Sequence, residues 1–352
     1  MIGKGDYMKY AYKGKEIRPS VDISHEIIPY IADIPEHVFY MDAEKCAYAW
    51  KTANAVLQDF FGDYRKVNAP YAAPLSYGHL ISIGAPYTLP ENSEPNVKPF
   101  AHDIDEAIAI MKDVQGIDFG DNDLCRHYLA VNKYLQEQFP EYNIAPLAGY
   151  GGEGIITTAE LMRGQDIFID LYEEPEKVHE YFKLLNKSII DFYCWMNRIN
   201  GVPEISTYGA GLADDFAALI PPYLWEEFVV PYWNEYYEAR TTGNGRNLHC
   251  EDLSPEHLKY LSDVKITHYQ PSVSDKLTLE NVKANTDIPF DWLLYAWKVT
   301  EMSDEEIQNW VDTAAEAGVT TIRTQIGKYA WMNNRQDRIL AFYKAFDKYR
   351  VE

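Results

Sequence analysis

Asn247-Leu248-His249-Cys250-Glu251-Asp252 is the stretch whose reading decides the architecture of this chain. It closes a short segment, residues 246–250, that reads as a strand, and Ser254-Pro255-Glu256 opens a helix directly after it. A histidine, a thiol and two carboxylates therefore gather at the C-terminal end of a strand. In a sheet of parallel strands alternating with helices, that edge is where ligands and catalysis belong.

The same alternation continues outward in both directions. Towards the C-terminus, strands are expected at 265–269, 290–295 and 320–324, with helices at 278–283, 303–317 and 335–348. Ser303-Asp304-Glu305-Glu306 caps the longest of these helices and Gly318 ends it. Towards the N-terminus, strands are expected at 75–83, 144–148 and 204–208. Helices are expected from Asp103, Asp123, Thr157, Pro175 and Pro221-Pro222. The first 70 residues read as mainly helical after a loose start, with a run that opens at Asp42. Repeated β-then-α units of this length imply a parallel sheet. The expected fold is α/β: a (β/α)8 TIM-like barrel as one domain over residues 1–352, with residues 1–70 a helical N-terminal extension.

The chain has 352 residues, 47% of them hydrophobic, enough for a large core. A formal charge of −22 disfavours nucleic acid and anionic membranes as partners. No run of about 18 apolar residues is present to span a bilayer, and no apolar leader follows Met1. Cys46, Cys125, Cys194 and Cys250 form no CxxC pair and read as reduced thiols of a cytoplasmic protein. The 28 tyrosines either fill the core or line a pocket for a planar ligand. The glycine-rich run 149–154 is not a dinucleotide fingerprint, and no Walker A, GxSxG or HExxH motif occurs.

If these strands hold, one mouth collects Glu153, Asp214, Asp215, His249, Glu251, His268, Asp291, Trp292, Arg323, Gln325 and Lys328. A histidine and an acid two residues apart at a strand end, here His249 and Glu251, can both ligate a metal, zinc foremost. The plain alternative is a histidine hydrogen-bonded to a carboxylate neighbour. Cys250 points to the opposite face if the alternation persists, and reads as packing. Asp214 and Asp215 suit substrate orientation or general-base work, or helix capping. Tyr208, at the end of the expected 204–208 strand, joins the substrate-binding candidates with Asp214, Asp291, Trp292, Arg323 and Gln325.

Five stretches resemble the uroporphyrinogen decarboxylase superfamily, and within it the corrinoid-dependent methyltransferases. They are Gly151-Gly152-Glu153-Gly154 running on to Glu174-Pro175-Glu176; Leu212-Ala213-Asp214-Asp215 with the segment 222–232; Leu248-His249-Cys250-Glu251; Phe290-Asp291-Trp292; and Ile322-Arg323-Thr324-Gln325-Ile326-Gly327-Lys328. The first 70 residues hold nothing like the Arg-Gln-Ala-Gly-Arg-Tyr motif of the decarboxylases proper. The thiol-methylating corrinoid enzymes look like His-x-Cys followed later by Gly-Cys, a zinc site. Here Glu251 and Lys328 stand at the two cysteine positions, which argues against a thiol acceptor.

The resemblance thus implies the O-demethylase branch, which takes a methyl group from a small methoxylated compound, an aryl methyl ether first. The acceptor is the cob(I)alamin of a separate corrinoid protein. Catalysis would fall to His249, Glu251, Asp215 and Lys328: either His249 and Glu251 hold a metal such as zinc, with Asp214 or Asp215 a further ligand, or His249 or Lys328 acts directly as the acid. Superfamily members are often dimers, so a homodimer is among the expectations. A decarboxylase-like lyase is the alternative. It needs several pocket arginines, and only Arg323 and Arg246 are placed to serve. A binding protein on a barrel that has lost its activity is the third reading.

Overall fold

The computed structural model describes residues 8–91 and 93–351, a mixed α/β fold with ten strands among them. They are β1 Lys9–Tyr12, β2 Lys15–Ile23, β3 Tyr87–Thr88, β4 Asn96–Val97, β5 Gly209–Ala213, β6 Gly245–His249, β7 His268–Gln270, β8 Asp291–Leu294, β9 Thr321–Ile326 and β10 Arg350–Val351. β5, β6 and β7 form one parallel sheet, with Ala213 opposite His249 and His249 opposite Gln270. β8, β9 and β2 form a second, with Leu293 opposite Arg323 and Arg323 opposite Ser20. A single parallel bridge, Tyr269 to Phe290, joins the two. Six parallel strands therefore run in the order β5-β6-β7-β8-β9-β2.

Alternation along these strands separates core from site. On β9, Ile322, Thr324 and Ile326 are buried, and Arg323 and Gln325 face the other way. Long helices cover the outer face. Asp42, Asp103 and Ser303 cap the helices Ala43–Phe61, Ile104–Asp113 and Asp304–Glu316 as their sequences predict. The tyrosines are largely core: Tyr128, Tyr181, Tyr237 and Tyr269 are fully buried.

Beyond β5, hydrogen bonding thins out. Gly154 N–H donates to Ala213 O at 2.6 Å, and Leu75 bridges Tyr150 in parallel. No ladder closes the circuit between β2 and residues 72–77 among the described residues, so the closed ring of eight strands is not complete there. The expected strand at 144–148 is absent. Asn132 donates to Pro146 O and Ala148 O, and Leu147 N–H is taken by Asn200 Oδ1, so the groups a ladder would need are engaged by side chains. The expected strand at 75–83 is a bridge at Leu75 followed by the helix Gly78–Ser82. An apolar run that short does not separate the two states.

Two further expectations are corrected. The fourth strand is β5, not 204–208: Gly209-Ala210-Gly211 reads as a loop, yet Gly209 is there because the strands pack tightly. A Cβ on Gly209 would lie 2.5 Å from Gly245 O. The N-terminal part is not only helical, since β2 is an interior strand of the sheet. Pro19 disguises β2 in the sequence. Arg18 N–H donates to Thr320 O, so by alternation the missing Pro19 N–H faces away from β9, where pairing with β1 has already ended at Ile17. Residues 1–7 lie outside the described residues. No helix among the described residues is long and apolar enough to cross a membrane.

Candidate active site

A cavity of about 200 Å³ opens at the C-terminal strand ends, lined by Asp22, His249, Gln270, Ser272, Asp291, Leu293, Arg323 and Gln325. Its size is below the range for drug-sized ligands and suits a small substrate. No Phe, Tyr or Trp lines it, so the abundance of tyrosine belongs to the core rather than to this pocket.

Arg323 is the hub. Its guanidinium donates to Asp291 Oδ2 at 2.8 Å and to Asp22 Oδ2. Burial opposes its charge, but Asp22 and Asp291 outweigh burial and raise its pKa. His268 Nε2 lies 2.7 Å from the other Asp291 oxygen. Burial alone would raise the Asp291 carboxyl, yet its bonds to His268 and Arg323 hold it below the usual carboxylate range. Arg323 is thus saturated by protein carboxylates. Arg246 is also engaged, donating to Asn234 Oδ1 and Val264 O from the entry end of β6. Neither arginine is free for the carboxylates of a lyase substrate.

His249, the last residue of β6, places Nδ1 3.0 Å from the Gln270 amide. Its Nε2 faces Asp215 Oδ1 at 3.5 Å and Glu251 Oε1 at 3.9 Å. The Glu251 backbone N–H donates to Asp215 Oδ1 at 2.8 Å, which fixes this carboxylate beside the imidazole. His249, Asp215 and Glu251 are therefore brought together, and Asp291, Arg323 and Gln325 share the cavity with His249.

Asp214 is not in this group. It is fully buried and accepts from Thr157 N–H at 2.7 Å, Ile156 N–H at 3.2 Å and Trp233 Nε1–H at 2.7 Å. It caps the helix Ile155–Arg163, reached because Gly154 has no Cβ; one there would lie 2.5 Å from the Asp214 side chain. Burial pushes its carboxyl up to about 6 against those hydrogen bonds. Cys250 also turns away from the mouth, buried, with Sγ donating to Asp214 O at 3.1 Å.

Three further candidates are placed elsewhere. Tyr208 precedes β5 and is 88% exposed, at the opposite end of the strand from Asp215. Trp292 is the neighbour of Asp291 and Leu293 on β8, so by alternation it faces the helices, edge-on to Phe290. Lys328 is bound to Glu36 at 2.9 Å with Glu26 at 3.8 Å, and the Glu36 bond raises its pKa, which keeps the ammonium protonated.

Sequence reasoning missed Asp22, Gln270, Ser272 and Leu293. The signal for Gln270 was present: it is two residues after His268, on the same face of a strand. Glu153, read from the sequence as a mouth residue, is carried up to about 7 by burial. A Ser76 hydrogen bond opposes this and the Asp215 and Asp214 carboxylates add to it.

The residues present do not fit a metal. Among the described residues no three or more His, Cys, Asp or Glu side chains converge so as to hold one. The Lys328 position is filled by an ammonium already paired with carboxylates.

No protein-family model and no curated protein matches the sequence. Among solved structures, a methyltransferase from Methanosarcina mazei is similar over 96% of this chain and 95% of its own, at a TM-score of 0.66 and 14% identity. At that identity the likeness is one of fold, and it runs the length of both chains.

Proposed function

We propose that this protein is an enzyme of methyl transfer. It moves a methyl group from a small methoxylated donor, an aryl methyl ether first, to the cob(I)alamin of a separate corrinoid protein. The observation that carries this reading is a fold shared end to end with a methyltransferase, together with a small polar cavity at its strand ends. The six-strand run with the bridge between Leu75 and Tyr150 is read as a thinned (β/α)8 barrel. The segments leaving β5, β8 and β9 carry exposed Leu219, Tyr223, Trp297 and Tyr329, which supply an apolar rim for a docking partner.

A docked cob(I)alamin supplies the nucleophile that accepts the methyl group. The protein's own task is the oxygen. As the carbon–oxygen bond breaks, the electron pair stays on oxygen, and His249 donates a hydrogen bond to it. Asp215 and Glu251 flank the His249 Nε2 at 3.5 and 3.9 Å and orient the ring towards the mouth. A phenol has a pKa of about 10, far below that of an alcohol, so an aryl ether can depart with one donor where an alkyl ether needs stronger activation. The lyase reading loses its support because both of its arginines are engaged.

The test is anaerobic incubation of the protein with cob(I)alamin and guaiacol, veratrole or 4-methoxybenzoate, read by the corrinoid's visible spectrum and by phenol release. Methylation of the corrinoid with the two uncharged donors is expected. The benzoate should be slower, because the carboxylates around the cavity outnumber its one arginine. No methylation from any donor by folded protein would remove the O-demethylase reading.

A further inference from the structure

Gln270 lies between two groups that dictate how its amide must point. On one side is the Arg323 guanidinium, with both Nη1 and Nη2 against the amide. On the other is His249 Nδ1 at 3.0 Å. A guanidinium has only donors, so the amide oxygen must face Arg323. The amide NH2 must then face His249. An NH2 group only donates, so Nδ1 must accept with its lone pair. In a neutral imidazole the one proton is left on Nε2.

Arg323 cannot turn away to relax this demand. It is held by Asp291 and by Asp22, and the Asp291 carboxylate is itself tied to His268. The opposite tautomer would need the Gln270 oxygen on His249 and its NH2 against the guanidinium, donor against donor. Nε2–H points to the mouth, and neither carboxylate beside it is close enough for a full hydrogen bond at 3.5 and 3.9 Å. The proton is therefore available to a ligand. The same arrangement removes the Nε2 lone pair that a metal would require.

We propose that Gln270, oriented by Arg323, is a positioning residue that fixes His249 as the Nε2–H tautomer. His249 then acts as a hydrogen-bond donor in the cavity rather than as a metal ligand. The tautomer stands on contacts within the protein alone. Its use on a departing oxygen rests on the methyl-transfer reading above.

The experiment is a long-range proton–nitrogen correlation spectrum of full-length protein carrying 15N-labelled histidine, near neutral pH, without donor or corrinoid. Comparison with His249→Ala assigns the His249 signals among the nine histidines. Wild-type protein is expected to show His249 protonated on Nε2 and bare on Nδ1. In Gln270→Glu the carboxylate only accepts, and the proton is expected to move to Nδ1. The other histidine signals should stay in place, which shows the fold intact. With an active methyl donor, the same variant should lose about 10- to 100-fold in kcat, with KM little changed. A wild-type His249 protonated on Nδ1, or a tautomer unmoved by Gln270→Glu, would overturn the proposal even if methyl transfer occurs. The expected spectra with no transfer from any donor would leave the tautomer standing and remove the O-demethylase reading alone.

Discussion

Two layers of polar side chains meet at the C-terminal strand ends, and they differ by a single residue of chain. Asp215, His249 and Glu251 turn to the mouth. Asp214 and Cys250 turn to the helices behind it, where Asp214 holds the helix Ile155–Arg163 and Cys250 donates to the Asp214 carbonyl. The chemistry of the side chains is the same in both layers, since each contains a carboxylate next to a potential nucleophile or base. What separates them is the number of protein partners. Asp214 already accepts three hydrogen bonds, whereas His249 Nε2 makes no hydrogen bond to protein. A group with its capacity filled builds the fold, and a group with capacity left over can serve a ligand.

Substitution of His249 is the strongest way to break this contrast. His249→Ala should lower methyl transfer by about 10²- to 10⁴-fold, the usual share of a positioned proton donor, with little change in melting temperature. Cys250→Ala, one residue on, should keep transfer within a few-fold and cost stability instead. Stopped-flow rates and thermal melts of the two variants check this. Full activity in His249→Ala, or its loss in a well-folded Cys250→Ala, would reverse the roles assigned to the layers.

The next effect falls on the other layer. Asp214→Ala strips the cap from the helix Ile155–Arg163 and leaves the buried Trp233 N–H without an acceptor. The expected cost is about 3 kcal/mol of unfolding free energy, a lost cap plus an orphaned buried donor. Urea titration measures it. A loss below about 1 kcal/mol would mean that this carboxylate is not the anchor its contacts describe.

The sequence makes the two layers only partly legible. Strand β9 is readable because its apolar residues alternate, and β6 and β8 because capped helical segments at Ser254 and Ser303 come after them. The placement of His249, Glu251, Asp291, Arg323 and Gln325 near one mouth follows from them. β2 is hidden by Pro19 and by charged residues on its exposed side, and Asp22 is hidden with it. β5 is hidden by its glycines, of which Gly209 is required by tight strand pairing and not by a turn. Parity decides the remaining misplacements. Trp292 sits one residue from Asp291 and so faces the opposite way, and Tyr208 precedes its strand rather than ending it. Nothing in a single sequence states that Arg323 and Lys328 are already occupied, because Asp22 and Glu36 reach them from about 300 residues away.

Glu153 sharpens the comparison because it belongs fully to neither layer. It is substantially buried, and the Asp215 and Asp214 carboxylates both act on it. Its folded pKa of about 7 lies above the value of about 4.3 for an exposed glutamate. Between those two values the folded state keeps a proton that the unfolded state has released. Stability must therefore fall as pH rises through that window and level off above about 7. Asp214, raised to about 6, adds in the same direction. Asp291 acts oppositely: its contribution is present above the unfolded value and is lost as pH falls through its depressed folded value. Glu153→Gln removes the raised carboxyl, so it should be more stable than wild type above neutral pH by roughly 1–2 kcal/mol, with the difference vanishing near pH 4. Melting curves from about pH 4 to 8 check this. If the same substitution also flattens the pH dependence of methyl transfer, Glu153 works with the mouth layer. If transfer keeps its pH profile while the stability difference appears, it is part of the wall behind.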